Sequence, residues 1–117
     1  MEPTWPLRPE VDLIAREPSG RVLAEPLVRA VAAAFAADGL TAEVSATYPL
    51  HPSTLGHRHA ARWAPRVLCV EVRRDLLVEA WLPLRPLTAA PAKVARLAAP
   101  LVRAVLAAWR EAASTAR

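Results

Sequence analysis

The spacing of apolar residues in the first half of the chain predicts one well-defined helix. Leu27, Val31 and Phe35 recur every four positions, which is typical of a helix that buries one stripe. Pro26 suits the first turn of this helix, and Gly39 stands where a left-handed residue commonly ends one. The pattern therefore predicts a helix between these two residues.

A second apolar pattern predicts a helix in the last quarter of the chain. This helix is expected to begin near Pro91, with Thr88 as its N-cap. Its predicted buried face consists of Val94, Leu97, Leu101, Val105 and Trp109. Pro100 lies inside the pattern, so we expect it to kink the helix or to split it in two.

The remaining apolar runs predict short strands. Residues 11–15, 41–46 and 67–72 have strand-like patterns, and the last run is apolar enough to be covered on both faces. Residues 76–82 are a possible edge strand, whereas residues 47–65 show no sustained period and are expected to be irregular. The order of helices and strands predicts an α/β fold with a small, mostly parallel sheet and two main helices.

Length and composition indicate one domain with enough apolar material for a core. The chain has 117 residues, of which 54% are hydrophobic. Residues 1–10 contain three prolines and are expected to form an extended arm, with residues 11–117 as the single domain. We expect no secretion signal, because residues 1–6 have neither a basic nor an apolar region, and the sequence has no apolar run of about 18 residues and only one cysteine. We therefore expect a cytoplasmic protein that does not enter a membrane.

The positive charge does not by itself indicate a nucleic-acid partner. The formal net charge is +4, and Lys93 is the one lysine among 15 basic residues. The arginines are scattered, and aromatic residues are not interleaved with them as they are in many single-strand binders. Binding to nucleic acid is therefore not expected.

Glu71 is the most informative polar residue, because it interrupts an apolar strand. A carboxylate in such a strand costs several kcal/mol unless it is paired, hydrogen-bonded or bound to a metal. One interpretation is an ion pair with Arg73 or with a more distant arginine, and the other is a functional carboxylate. Strand alternation places Glu71 on one face with Cys69 and Arg73, and Arg74 on the opposite face. Cys69 itself is expected to be an inert, buried thiol.

The three histidines are weak candidates for a metal site. His57 and His59 are spaced as H-x-H, and His51 lies upstream of them. Together with Glu71 they could form a metal site, as three histidines and a carboxylate do in some proteins. The spacing is generic, however, and we do not expect these histidines to hold a metal by themselves.

One stretch of sequence resembles a known family. Residues 68–77 read LCVEVRRDLL, which is similar to the L-Q-I-E-I-N-R-x-L-Y pattern of the N-formylglutamate amidohydrolases. Residues 11–14, 23–28 and 36–44 resemble the strands and helix that precede this pattern in the family, and Tyr48-Pro49 resembles the start of its substrate loop. The resemblance covers residues 11–109 and corresponds to the C-terminal half of a typical member.

The resemblance implies a fold related to the zinc carboxypeptidases and roles for three residues. Glu71 would be the general base, Arg74 would bind the carboxylate of the substrate, and Tyr48 would belong to the substrate loop. The family's zinc ligands lie in P-H-S-G-like and D-x-H-S-like motifs of the N-terminal half, and this sequence contains neither. Zinc is thus the cofactor of the family, but this chain is not expected to bind it alone.

The sequence also departs from the family pattern at several positions. Cys69, Arg73 and Leu77 replace the glutamine, asparagine and tyrosine of the motif, and Arg66 replaces a histidine that precedes it. The paired glycines of the substrate loop are missing near Leu50, which argues for a changed or abandoned site.

Three functions remain open. The chain can be a truncated or split amidohydrolase that is inactive alone, or a degenerate enzyme that serves as a non-catalytic interaction module. The third is a self-contained metalloenzyme built on the three histidines and Glu71. In either of the first two cases we expect a homodimer, or a partner chain that covers the exposed face of a half-domain.

Overall fold

A computed structural model describes residues 8–64, 66–80 and 82–115 as a small α/β protein with three helices and three strands in that part of the chain. In chain order the elements are β1 (Val11–Ile14), α1 (Glu25–Ala37), β2 (Ala42–Val44), α2 (Leu55–Trp63), β3 (Cys69–Val72), a short 3-10 helix (Arg74–Leu76) and α3 (Pro91–Thr115). The predicted N-terminal arm lies mostly outside the described residues. No described helix combines the length and the apolar character needed to cross a membrane.

The sheet is mixed, with the strand order β2-β1-β3. β1 and β2 run parallel, with Val11 opposite Ala42, because α1 carries the chain back to the starting end of the sheet. β1 and β3 run antiparallel, with Val11 opposite Val72. The predicted α/β class is therefore confirmed, but the expectation of a mostly parallel sheet was wrong.

The two faces of the sheet are covered differently. On one face, Val11 and Leu13 pack with Val31 and Phe35 of α1 in the main core, to which α3 also contributes. On the other face, Ile14 packs in a smaller cluster that includes Leu23, Leu50 and Ala60 of α2. The second cluster covers only the Ile14 end of β1, which leaves the Val11 end of that face to polar residues.

The predicted limits of α1 are confirmed. Ala24 precedes the helix in a left-handed conformation with φ of 53°, and Pro26 occupies the first turn. Gly39 follows the helix with φ of 76°, a conformation that costs glycine little. Val28, Val31 and Phe35 are buried, as the apolar stripe predicts.

α3 differs from its prediction in three respects. It continues through Pro100 as one helix, so it is not split there. Thr88 is not its cap, because the helix begins at Pro91 directly after Ala90. The side chains that α3 buries belong to Leu97, Pro100 and Ala104, whereas Val94, Val105 and Trp109 of the predicted buried face are exposed.

Two segments around β3 were also predicted wrongly. The segment expected to be irregular contains α2, whose N-cap Thr54 accepts a hydrogen bond from the backbone N–H of His57 at 3.2 Å. Within the described residues of 76–82, the expected edge strand is replaced by the end of the 3-10 helix and a single bridge between Val78 and Ala89. Lys93 fixes this turn, because its Nζ donates to the carbonyl of Val78 at 2.9 Å.

Candidate functional site

A cleft of about 450 Å³ lies at the Val11 end of the sheet, on the face that α2 leaves uncovered. It is lined by Arg8, Pro9, Asp12, Thr47, Glu71, Val72, Arg73 and Arg74. Asp12 and Glu71 lie opposite each other in the register of β1 and β3, so their side chains share this face. Two acidic residues and three arginines thus line one polar cleft.

Glu71 is half-buried at this cleft and bonds to Tyr48. The Tyr48 hydroxyl donates a hydrogen bond to Glu71 Oε1. This hydrogen bond, followed by desolvation, raises the pKa of Tyr48 above its usual value, since the phenolate would face a carboxylate. The structure therefore joins Glu71 to Tyr48, two of the three residues for which the family resemblance implies a role.

The titration of Tyr48 provides a direct test of this contact. Tyr48 is the single tyrosine of the chain, so the ultraviolet absorbance of tyrosinate reports on it alone. We expect its midpoint to lie above pH 10.0 in the folded protein, and to fall toward that value in Glu71→Ala. An identical midpoint in both proteins, with circular dichroism showing that both stay folded, would rule out the contact.

The same shift fixes the sign of a pH effect on stability. Because the pKa of Tyr48 is higher in the folded than in the unfolded chain, the contact contributes fully below pH 10.0, the usual value. Its contribution is lost as the pH rises through the folded-state pKa. As the pH rises through this alkaline range, the stability of Glu71→Ala should therefore fall less than that of the native chain.

Asp12 is a site residue that was not predicted from the sequence. It is 3% exposed, and its two carboxylate oxygens accept hydrogen bonds from the backbone N–H groups of Ala46 at 3.0 Å and Thr47 at 2.8 Å. The signal was available, because Asp12 interrupts an apolar strand just as Glu71 does. Asp12 fixes the loop after β2, from which Tyr48 reaches Glu71.

Arg73 is tied to other groups and does not pair with Glu71. It donates to both oxygens of Asp75, at 2.6 and 3.1 Å, and to the carbonyl of Arg8 at 3.0 Å. The hydrogen bonds from Arg73 hold the pKa of Asp75 below its usual value. The ion pair between Arg73 and Glu71, one of the interpretations open for Glu71 from the sequence, is therefore wrong.

Arg74 is exposed, lines the cleft together with Glu71, and makes no ion pair with any described residue. Strand alternation had placed these two residues on opposite faces. The alternation fails because the strand ends at Val72 and a 3-10 helix begins at Arg74. This turn brings Arg74 to the same cleft as Glu71.

The three histidines have separate surroundings. The Nδ1 atom of His51 lies 2.7 Å from the hydroxyl of Ser53, and the Nε2 atom of His57 lies 3.4 Å from a carboxylate oxygen of Glu17. His59 is exposed on α2. Within the part of the chain that the structure describes, no three His, Cys, Asp or Glu side chains come together in a group that could hold a metal.

Cys69 lies near the covered end of the sheet, where α2 crosses β3. Burial raises the pKa of its thiol, as expected for an inert cysteine. Its Sγ would be 2.9 Å from a Cβ atom added at Gly56, so the helix approaches the strand closely at this glycine. Cys69 therefore lies against Gly56 of α2.

Comparison of the chain with protein-family models, with curated proteins and with solved structures found no match.

Proposed function

We propose that the cleft binds a small molecule of the N-acyl amino acid class and that the chain is related to the N-formylglutamate amidohydrolases. The observation that carries the proposal is the meeting of Glu71 and Arg74 at one cleft, with Tyr48 bonded to Glu71. These are the residues to which the resemblance in sequence gives roles. A cytoplasmic location, expected from the sequence, goes with this proposal.

The charges of the cleft suggest how such a molecule would lie. A guanidinium group can donate two parallel hydrogen bonds to a carboxylate, and Arg74 has no competing ion pair among the described residues. Asp12 and Glu71 would repel the same carboxylate. The carboxylate of the ligand therefore belongs beside Arg74, with its acyl end toward Glu71.

Glu71 is the group that would accept a proton in this arrangement. The hydroxyl of Tyr48 occupies one of its oxygens, and the other is left to face a ligand or water. Zinc serves this chemistry in the family, but the described residues do not fit a zinc site. Hydrolysis is therefore not assigned to the isolated chain, which we expect to bind without turnover.

Binding of N-formyl-L-glutamate tests this proposal. We expect nuclear magnetic resonance titration to shift signals of the cleft residues, and Arg74→Ala to weaken binding about tenfold through loss of a charge-assisted contact. Arg58→Ala is the matched control, because this exposed arginine belongs to α2 and does not line the cleft. Glu71→Gln should retain binding.

Two results would contradict the proposal. One is that neither N-formyl-L-glutamate nor N-acetyl-L-glutamate shifts any signal of the cleft residues. The other is equal weakening by Arg74→Ala and Arg58→Ala, because this would indicate a general effect of positive charge rather than a contact in the cleft.

A second candidate function is a non-catalytic interaction module that forms an oligomer. The observation that favours it lies on α3, far along the chain from Glu71. Val102, Val105, Leu106 and Trp109 expose large apolar side chains on this helix. Single exposed apolar residues are ordinary, but a contiguous set on one helix commonly marks an interaction surface.

A further inference from the structure

α3 has two apolar faces, and only one of them is covered. Leu97, Pro100 and Ala104 are buried against the rest of the chain. On another side of the helix, Val102 is 53% exposed and Trp109 is 71% exposed. None of the α3 residues after Ala104 is buried, although the helix continues to Thr115. The exposed face therefore extends past the part of α3 that packs on the core.

The exposed face follows a heptad pattern. Six residues spaced alternately by three and four positions form a seam along this face, and they are Ala95, Ala98, Val102, Val105, Trp109 and Ala112. The positions that border this seam are also uncharged from Val94 to Ala113, and they include Leu101 and Leu106. Such a seam is typical of a helix that packs against another helix.

The arginines of α3 lie together outside this seam. Arg96, Arg103 and Arg110 are spaced seven residues apart, so they form one row along the helix. Arg103 bonds to Asp38 at 2.7 Å, beside the end of α1. The row does not border the seam, and a second helix could therefore approach without meeting a charge.

We infer that α3 is a dimer interface, in which the seam packs antiparallel against the same seam of a second copy of this chain. The inference rests on the interaction-module candidate and does not depend on ligand binding at the cleft. Its two grounds are the complementarity of the seam with itself and the area that the pair would bury.

The seam is self-complementary only in the antiparallel direction. An antiparallel register with Val102 opposite Val105 of the second copy also places Trp109 opposite Ala98 and Ala95 opposite Ala112. The largest side chain then meets a small one, which suits close packing. A parallel register would place Trp109 against Trp109 and Ala95 against Ala95, so a bulky layer would lie near one end of the seam and small layers at the other.

The area of the seam suits a weak, reversible dimer. From residue 95 to residue 112 the helix is about 26 Å long, and half of its surface is on the order of 500 Å². Two copies would bury about 1,000 Å² in total, near the lower limit for a specific interface. We therefore expect a dissociation constant on the order of micromolar.

Sedimentation equilibrium over a dilution series tests the interface. The full chain should pass from dimer to monomer on dilution, and Val102→Glu and Trp109→Glu should each remain monomeric. Leu84→Glu is the control, because Leu84 is fully exposed outside α3 and should leave the dimer intact. Circular dichroism should show that all four proteins are folded, since none of the changed residues is buried.

Disulfide cross-linking tests the direction of the helices. In a Cys69→Ala background, a mixture of Ala95→Cys and Ala112→Cys proteins should give a mixed disulfide dimer when treated with diamide. Either protein alone should cross-link poorly. Cross-linking of each variant with itself but not with the other would indicate a parallel pair and would overturn the antiparallel register.

A monomer throughout the dilution series would overturn the inference and leave the α3 face to a different protein. A dimer that survives both glutamate substitutions would place the interface elsewhere and would overturn it too. Binding of N-formyl-L-glutamate to Val102→Glu separates the two proposals, because loss of the dimer should leave the affinity of the cleft unchanged.

Discussion

Replacing Asp12 with alanine is expected to lower the free energy of unfolding by about 2–4 kcal/mol. The side chain is almost fully buried, and each of its oxygens accepts one backbone N–H group, from Ala46 and from Thr47. Alanine would leave both donors, which make part-buried hydrogen bonds, without this acceptor. Urea unfolding followed by circular dichroism measures the effect.

Two further variants test whether the loss of stability in Asp12→Ala comes from its two hydrogen bonds. Glu43→Ala is the matched control, because Glu43 lies beside Asp12 in the register of β1 and β2 but is exposed. It should change stability by less than about 0.5 kcal/mol. The free energy of unfolding of Asp12→Asn should lie between those of Asp12→Ala and the native chain, since the asparagine amide keeps one acceptor oxygen. If Asp12→Ala were as mild as Glu43→Ala, the loop would not depend on these two hydrogen bonds.

The Asp12 hydrogen bonds also connect stability to the cleft. They hold the loop in which Ser45 adopts a left-handed conformation with φ of 46° and accepts hydrogen bonds from Ala15 and Arg16. Tyr48 follows directly and bonds to Glu71. Asp12→Ala should therefore also lower the raised pKa of Tyr48, even under conditions in which the variant is folded.

The parts of the fold that were predicted correctly have strong local signals. α1 has a four-residue apolar repeat between Pro26 and Gly39. Pro26 restricts the backbone at the start of the helix, and Gly39 permits the left-handed conformation that follows its end. β3 lies in a run that is apolar except for Glu71. In contrast, α2 is short and buries only Ala60, so its apolar pattern is too weak to be recognised. Thr54 was its one clear signal.

The errors in the site arise from contacts between distant residues. Glu71 could be selected from the sequence because a carboxylate in an apolar strand is conspicuous, but its contact with Tyr48 depends on how Asp12 fixes a loop more than 30 residues away. The position of Arg74 depends on where β3 ends, and strand alternation cannot predict that. Likewise, α3 is apolar on two sides, and the sequence alone did not tell which one packs on the core.

Gly56→Ala has the second largest expected effect on stability, and its sign depends on Cys69. In an isolated helix this change should stabilise by about 1 kcal/mol, because alanine favours the helical conformation more than glycine does. In this chain the added Cβ would lie 2.9 Å from Sγ of Cys69, well inside ordinary contact. Separating α2 from the strand is expected to cost more than the helical preference gains, since overpacking costs about 1–3 kcal/mol.

A double-mutant cycle with Cys69→Ala isolates this contact. Without the sulfur, the next neighbour of the added Cβ is Leu50 Cδ1 at 3.7 Å, which is an ordinary contact. Gly56→Ala should therefore destabilise the native chain by about 1–2 kcal/mol and become neutral or stabilising in the Cys69→Ala background. Urea unfolding of the four proteins gives the coupling energy. Stabilisation by Gly56→Ala in both backgrounds would mean that the Cys69 side chain or α2 shifts at little cost, in which case the contact between Gly56 and Cys69 would not fix the distance between this helix and the sheet.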